Sequence, residues 1–482
     1  MTRDRIYLHK FIIVHGSYYA VKPKYMRRER NLRRKLFAQI AIVLLLASIF
    51  SVLPVVSTPL MFTEGEISAI RLDAAGTGAI LGVPGGKKPK LTFNLDMIDV
   101  ENIMGDGEGI YVAVIDTGLL PHWRYYFPEE KIVTEWATAF FWDEHYHTIE
   151  VPEYYEYALS GHGTHVTSTV IGYNYLPSWK ARARHPIDGV APKAKIIPIK
   201  VLWWFDEYGT SVGTWDAVAT GIEYATRLAK THNIKMVINL SLGGDSPAKP
   251  VENAINKAIR AGVIVVAAAG NAGPYGMDWP GAYPQVISAA WAGWTGQWFG
   301  GIDPVTYNPI WDDEWHRNDV PEDLMTPAPS SALFGFRGGT QVYISGGSGR
   351  ELPGQDLDVA APGSWVYGPY WTPLWGPLPD DPTECYGWVG GTSMAAPHVA
   401  GTAALMLEKN PSLDQYTIEM ILESTADLAP VTYPNGGWLD PNPYMAIYAL
   451  HWGYPPGWYY TSWADDAVGE GFLDADEAVA TA

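Results

Sequence analysis

The chain has 482 residues, with 33 Lys and Arg against 52 Asp and Glu and a formal net charge of −19. A hydrophobic fraction of 47% and a charged fraction of 18% exclude a disordered chain and provide for a large buried core. The single cysteine, Cys385, excludes an intrachain disulfide and any metal site built from several cysteines.

The charge is unevenly distributed along the chain. Residues 1–35 carry 11 Lys and Arg against 2 Asp and Glu, a net charge of +9, which leaves 22 against 50, or −28, for the remainder. Phosphate binding requires clustered cations, so the acidic body predicts no nucleic-acid partner.

The N-terminal part of the sequence is typical of a targeting segment. Residues 36–56 form an apolar run long enough to cross a bilayer as a helix. The basic residues 1–35 before it are expected to stay in the cytoplasm and to direct the following chain outward. Two interpretations stay open: residues 36–57 are a cleaved signal peptide, or residues 36–56 are an uncleaved anchor that contacts the membrane. Both predict an extracellular or cell-surface protein.

The remaining sequence alternates short apolar runs with helical patterns. The predicted strands are 111–116, 194–202, 235–242, 263–270 and 285–290. The predicted helices are 162–172, 212–231, 250–261, 393–409 and 411–425, the last opened by Pro411 and Ser412. This order predicts an α/β fold of three layers, with a mainly parallel sheet and helices on both of its faces.

A leader, one domain and two insertions complete the predicted organisation. Residues 58–93 are a leader or linker, and residues 94–482 form one domain. Aromatic, weakly periodic stretches near 291–340 and 426–465 are expected to be long surface insertions. Their aromatic rings could form substrate walls, but packing onto the body is the commoner role.

Two motifs place polar residues where predicted elements begin or end. Asp116 ends an apolar strand, the edge at which α/β proteins gather ligands, although a turn residue is an equal alternative. His162 and His165 open a predicted helix. They lack the intervening Glu of the HExxH zinc motif, and a solitary histidine is more often structural than catalytic.

Two glycine-rich motifs follow further along the chain. Asn271 lies between glycines after an apolar strand, as a turn former or as a donor to a developing oxyanion. Ser393 stands where a glycine-rich loop enters a helix, so the helix dipole favours negative charge beside it. Pro397 is expected in the first turn of that helix, where proline is tolerated.

Taken in order, these motifs resemble those of the subtilisin-like serine proteases, the subtilase or S8-type family. The matching segments are VAVIDTG (112–118), HGTHV (162–166), AAAGN (267–271) and GTSMAAPHVAG (391–401). The chain order Asp, His, Ser is also that of subtilisin. The resemblance covers residues 96 to 480, with interruptions, and implies a serine endopeptidase with a subtilisin-like fold.

The resemblance implies a role for each motif. Ser393 is the nucleophile, His162 its base, and Asp116 the residue that orients the imidazole. The Asn271 side chain and the Ser393 backbone N–H form the oxyanion hole, with Thr392 as a supporting residue. The substrates are polypeptides, and the chemistry needs no cofactor.

The resemblance also implies a substrate channel. Its expected members are Ser241, Leu242 and Gly243 on one strand, Val212 and Gly213 on the facing strand, and Ala268, Ala269 and Gly270 beside the first specificity pocket. Asp278 falls at the floor of that pocket, where a carboxylate favours Lys or Arg before the scissile bond. The alternative is that Asp278 caps a turn at the pocket's rim.

Two departures from the family bear on metal binding. Arg124 stands where many members have a calcium-binding Asp, and the loop after His165 lacks the usual short calcium loop. We therefore assign no metal site. Structural calcium elsewhere, such as at residues 312–314, stays possible, although solvated acidic loops are far commoner.

Three other interpretations compete with a serine protease. Sedolisins use a Glu in place of the histidine base, whereas this chain keeps His162. A non-catalytic or latent exported binding protein on the same fold is the main alternative, but no triad residue is missing. A carbohydrate-binding protein is suggested only by 21 Trp and 29 Tyr, and it explains none of the motifs.

Overall fold

The computed structural model describes residues 11–13, 92–143, 147–175, 185–294, 342–427, 438–439, 460–461 and 465–482. The targeting segment 36–57, nearly all of the leader 58–93 and most of both predicted insertions lie outside these residues, as do the acidic residues 312–314. Within the described ranges, no helix has the length and apolar character needed to span a bilayer.

Eighteen strands and nine helices lie in the described part of the chain. The helices are α1 (Phe93–Asp96), α2 (Trp123–Tyr126), α3 (His162–Ile171), α4 (Trp215–His232), α5 (Lys249–Arg260), α6 (Thr392–Lys409), α7 (Gln415–Thr425), α8 (Asp465–Val468) and α9 (Ala475–Thr481). The first nine strands are β1 (Phe11–Ile13), β2 (Ile110–Asp116), β3 (Thr138–Trp142), β4 (Thr148–Glu150), β5 (Tyr173–Tyr175), β6 (His185–Ile187), β7 (Lys195–Lys200), β8 (Trp203–Phe205) and β9 (Thr210–Thr214). The other nine are β10 (Lys235–Leu240), β11 (Ile264–Ala268), β12 (Ile287–Trp294), β13 (Val342–Ile344), β14 (Val359–Pro362), β15 (Val366–Pro369), β16 (Tyr386–Val389), β17 (Trp438–Leu439) and β18 (Tyr460–Thr461).

The main sheet has the strand order β13-β12-β11-β10-β2-β7-β3-β4, and β14 also pairs with β12. Strands β11, β10, β2 and β7 are mutually parallel neighbours, because helical crossovers return the chain to the same end of the sheet. Antiparallel pairs occur at the two margins, β12 with β13 and β3 with β4. The predicted mainly parallel sheet is confirmed.

Two apolar layers cover the sheet. Helices α3, α6 and α7 bury their side chains on one face, and α4 and α5 bury theirs on the other. Buried β-branched and aliphatic residues on both faces explain the continuous apolar runs in the sequence of β2, β10 and β11. The predicted three-layer α/β architecture is therefore confirmed.

The differences from the sequence prediction include two helix starts and the position of Pro397. Helix α7 begins at Gln415 rather than at Pro411, because Asp414 Oδ1 accepts the Thr417 amide at 2.9 Å and caps the helix there. Residues 212–214 belong to strand β9, not to the following helix. Pro397 is the sixth residue of α6, beyond the first turn.

Strand β1 was not predicted. It pairs antiparallel with β9, with Ile12 opposite Gly213, and extends the β8–β9 hairpin to three strands. Gly213 is predicted to bind substrate, and the edge of β9 on which it lies is therefore already paired with a strand from the N-terminal segment.

A second hairpin, β15–β16, lies beside helix α3. Cys385 directly precedes β16 and is fully buried. The Cys385 carbonyl accepts the Tyr370 amide at 2.9 Å. Trp371 follows Tyr370, and its carbonyl accepts the Gly161 amide at 2.7 Å. These bonds tie the hairpin region to the residue that precedes His162.

Candidate active site

The predicted site residues lie where parallel strands end. Asp116 is the last residue of β2, Ser241 follows the end of β10, and Asn271 comes shortly after the end of β11. Because these strands are parallel neighbours, the three residues lie at one edge of the sheet.

Asp116 and His162 form a buried hydrogen-bonded pair. His162 Nδ1 lies 2.8 Å from Asp116 Oδ1 and 2.9 Å from Oδ2, and both side chains are 0% exposed. A carboxylate accepts but does not donate, so Nδ1 carries the proton and Nε2 is the basic nitrogen of the neutral ring. Among the described residues, His162 Nε2 has no hydrogen-bond partner.

The turn after Asp116 brings strand β2 close to helix α3. The Thr117 amide donates to Asp116 Oδ1 at 2.6 Å, and Thr117 Oγ1 accepts the Gly163 amide at 2.9 Å. Gly118 has φ +79°, and a Cβ there would lie 2.4 Å from the Tyr155 carbonyl oxygen. A Cβ on Gly163 would lie 2.6 Å from the Gly118 carbonyl oxygen, so glycine is required on both sides of the contact.

His165 has a different role from His162. Its Nε2 donates to the Val366 carbonyl at 2.9 Å, and burial lowers its pKa to about 3. This neutral ring braces helix α3 against strand β15. His165 and His162 are therefore engaged separately and do not form a metal pair.

Ser393 is the second residue of helix α6 and is 3% exposed. Its Oγ donates to the Ser241 carbonyl at 3.2 Å, while Ser241 Oγ donates to the Ser393 carbonyl at 2.7 Å. Pro397 lacks an N–H, so the Ser393 carbonyl, four residues earlier, loses its helical donor. Ser241 supplies that donor from the end of strand β10.

Asn271 is held by the residue that precedes Ser393. Its Oδ1 accepts both the backbone N–H and the hydroxyl of Thr392, each at 3.0 Å. The Thr392 hydroxyl oxygen in turn accepts the Gly270 amide at 3.1 Å. With the carbonyl end fixed in this way, the amide NH₂ is the end of Asn271 that can donate to a bound oxygen.

The residues expected to line the first pocket lie together. The side chain of Asp278 is wedged between the backbones of Gly243 and Gly270, since a Cβ on either glycine would come within 2.6 Å of it. The Asp278 amide donates to the Ala269 carbonyl at 2.8 Å. Ser241, Leu242 and Ala268 are buried beside these residues, and Val212 and Gly213 lie in strand β9.

Lys200 was not singled out by sequence reasoning. It is the last residue of β7 and the register partner of Asp116. Its buried Nζ donates to the carbonyls of Thr117 at 2.7 Å and Leu202 at 2.9 Å. The signal in the sequence was a lysine that ends an apolar strand, IIPIK, in a position usually filled by an apolar residue.

Arg124 does not suit the calcium position seen in relatives. Its guanidinium pairs with Glu156 at 2.6 Å and with Glu129 at 3.4 Å, so a cation stands where a calcium ligand is expected. Two acidic groups lie elsewhere in the described residues: Asp99 with Asp474 and Asp476, and Asp358 with Glu419 and Glu423.

Comparison with known proteins decides the family. The subtilase family model, Peptidase_S8, matches residues 107–439. The chain belongs to the subtilase family. This subtilase is a serine-type endopeptidase, as the sequence motifs predict.

Individual relatives agree with that assignment. The subtilase is similar to subtilisin DY of Bacillus licheniformis, with 29% identity over 341 residues that cover 69% of this chain and 90% of the relative. It is 30% identical to thermitase of Thermoactinomyces vulgaris over 326 residues, 67% of this chain and 83% of thermitase. Among solved structures, sphericase aligns with 23% identity and a TM-score of 0.47, over 71% of this chain and 91% of that one.

Proposed function

We propose that this subtilase is an exported endopeptidase that cleaves peptide bonds with the triad Asp116, His162 and Ser393 through an acyl-enzyme. The observation that carries the proposal is the buried Asp116–His162 pair, which fixes the imidazole tautomer and leaves Nε2 basic. A serine hydroxyl requires such a base to become nucleophilic.

The first half of the reaction forms the acyl-enzyme. The Ser393 hydroxyl turns from the Ser241 carbonyl to His162 Nε2, which takes its proton as Oγ attacks the scissile carbonyl carbon. The oxyanion is held by the Asn271 amide and the Ser393 N–H at the start of helix α6. His162 then gives the proton to the leaving amine, and an ester to Ser393 remains.

The second half regenerates the enzyme. Water gives a proton to His162 Nε2 while its oxygen attacks the ester carbonyl, and the same donors stabilise the second oxyanion. The acid product leaves as the proton returns to Ser393 Oγ. Throughout, Asp116 stabilises the imidazolium and itself stays ionised.

The substrate is an extended polypeptide. Its backbone pairs with Ser241–Gly243 on one side and, in place of strand β1, with Val212–Gly213 on the other, as an added strand. Ala268, Ala269 and Gly270 flank the side chain before the cut. Asp278, buried between Gly243 and Gly270, places a carboxylate beside that side chain, and charge complementarity favours Lys or Arg there.

Export is part of the same proposal. The apolar run 36–56 with its basic flank directs export, either as a cleaved signal or as an anchor. Either route separates residues 1–35 from the exported domain, so the β1–β9 pairing belongs to the full-length chain before export. A latent exported binding protein on the same fold is the competing function, since the Ser393 hydroxyl is bonded to Ser241 rather than to His162.

Reaction of the full-length protein with a fluorophosphonate probe, followed by peptide mapping, tests the proposal. We expect labelling on Ser393 that is lost in Ser393→Ala and strongly reduced in His162→Ala. His165→Asn, which removes a buried histidine three residues away, is the matched control and should still label. A folded protein that is neither labelled nor hydrolyses peptides would favour the latent binding protein.

A further inference from the structure

Lys200 is a buried cation beside the proposed triad. Its side chain is 2% exposed, and Nζ lies 4.5 Å from the centroid of the Trp203 ring. Its two hydrogen bonds go to backbone carbonyls, one of them that of Thr117, the residue after Asp116.

Such a placement is costly unless the charge is compensated. Among the described residues Lys200 forms no ion pair. Asp116 is the charged group whose electrostatic interaction affects the pKa of Lys200. Burial lowers the pKa of Lys200 to about 7, and the carboxylate of Asp116 opposes that shift. Below neutral pH the site therefore holds an ammonium whose charge interacts with the same buried carboxylate that binds His162.

We propose that Lys200 is a positioning residue for Asp116. By binding the Thr117 carbonyl, it fixes the turn at Asp116–Gly118, which carries the carboxylate that orients His162. By its charge, it offsets the buried carboxylate and opposes protonation of the neighbouring imidazole. This inference rests on the proposed triad.

Four full-length variants separate the two effects. Lys200→Met removes both the hydrogen bond and the charge, Lys200→Gln keeps a donor without charge, and Lys200→Arg keeps both. Lys195→Met is the matched control, because Lys195 lies on the same strand and also donates to a backbone carbonyl, that of Glu130. Active sites are counted by fluorophosphonate labelling, so kcat refers only to folded, labelled enzyme.

We expect Lys200→Met to lower kcat about tenfold with little change in KM, because the carboxylate is less well placed. The acid limb of its kcat/KM profile moves to higher pH by about one unit, because the cation no longer opposes imidazole protonation. Lys200→Gln shows the limb shift with a smaller loss of kcat, and Lys200→Arg restores both. Lys195→Met leaves both unchanged.

The inference would be overturned if Lys200→Met left both kcat and the acid limb of the kcat/KM pH profile unaltered. It would also be overturned if the variant changed KM alone. If Lys200→Met does not fold, the Gln and Arg variants decide, since they differ in charge but each keeps a donor. A wild-type protein that is not labelled on Ser393 would refute the proposed triad and this inference together. Labelled wild type with unchanged Lys200 variants would refute this inference alone.

Discussion

Ser393 and Ser241 hold each other through two hydrogen bonds of opposite direction, one from each hydroxyl to the other's carbonyl. The pair joins the first turn of helix α6 to the end of strand β10. Asn239 Nδ2 donates to Ser241 Oγ at 2.9 Å, which sets the direction in which that hydroxyl donates. The loop-to-helix junction that carries Ser393, the proposed nucleophile, is thus held by hydrogen bonds from the sheet.

The Ser241 hydroxyl replaces the helical donor that Pro397 removes. We expect Ser241→Ala to lower the free energy of unfolding by about 1 kcal/mol, because a buried carbonyl loses its partner. In a Pro397→Ala background the cost should be smaller, since the substituted alanine restores a backbone N–H that can reach the Ser393 carbonyl. Urea unfolding, measured with Ser393→Ala present to prevent self-digestion, checks this. Equal costs in both backgrounds would contradict it, and Ser246→Ala at the surface is the control.

The Asn271 amide is expected to stabilise the oxyanion. Asn271→Ala should lower kcat by about 10²–10³ with KM nearly unchanged, the magnitude known for loss of such a donor in subtilisin itself. Thr392→Val should lower kcat less, because Asn271 Oδ1 keeps the backbone N–H and loses the hydroxyl. Thr392→Ser keeps both and is the control. Steady-state kinetics on one peptide substrate suffice, and an effect confined to KM would contradict the assignment.

The proposed place of Asp278 in the first specificity pocket predicts a preference for cationic side chains. Asp278→Asn should lower kcat/KM at least about tenfold for peptides with Lys or Arg before the cut, and should raise or preserve it for Leu and Phe. The change is nearly isosteric, so the packing of Asp278 between Gly243 and Gly270 is retained. Profiling with a matched peptide set measures it. A wild-type preference for apolar residues, unchanged in Asp278→Asn, would support the turn-capping alternative.

In the full-length chain before export, strand β1 occupies the edge of β9 to which a substrate is expected to add. Ile12→Pro removes a backbone donor and fits poorly in a paired strand, so it should weaken the β1–β9 pairing. We expect KM for long peptides to fall and kcat to change little. Ile12→Val, which keeps the strand, is the control. A KM identical to that of the wild type would show that β1 does not compete with substrate.

Glu419 makes stability depend on pH. Burial, with the nearby charges of Glu423 and Asp356, raises its pKa to about 7 from an ordinary value of 4.5. The folded state therefore binds the proton more tightly than the unfolded state, and the stability this contributes at low pH is lost as pH rises through about 7.

Glu419→Gln should consequently raise Tm by a few degrees at pH 8 and have little effect at pH 4.5. The measurement uses the Ser393→Ala background with a chelator present, so that no divalent cation offsets the acidic group. Glu153→Gln, at an exposed carboxylate, is the control. A lower Tm at pH 8 would show that the ionised carboxylate is compensated in the folded protein.

Much of the fold was predictable because its signals are local. Buried parallel strands read as short apolar runs, and the helices between them carry an apolar face, so the layers followed from the order of the patterns. The positions of Asp116 and His162 relative to these elements were likewise readable. Strands β1 and β8 were not, because a strand of three residues gives too short a pattern.

The contacts that shape the site depend on neighbours distant in the sequence. That the Ser393 carbonyl lacks a helical donor follows from Pro397 alone, but Ser241, 152 residues away, is its partner only because of the strand order. Lys200 faces Asp116 for the same reason, since register between β2 and β7 is set by packing of the whole sheet. Sequence motifs predicted the catalytic groups, whereas the contacts that hold these residues follow from the strand order.

The reactivity of the buried Cys385 thiol reports how often the structure around it opens. Because it is the single thiol in the chain and is shielded in the folded state, a water-soluble thiol reagent can reach it only when the hairpin region opens. That region is hydrogen-bonded to Gly161, the residue before His162. The rate of thiol modification therefore measures how often the β15–β16 hairpin region opens beside His162. Slow modification by a small disulfide reagent would show that the hairpin region is rigid. Modification that a bound inhibitor slows further would show that the hairpin region moves together with the proposed catalytic cleft.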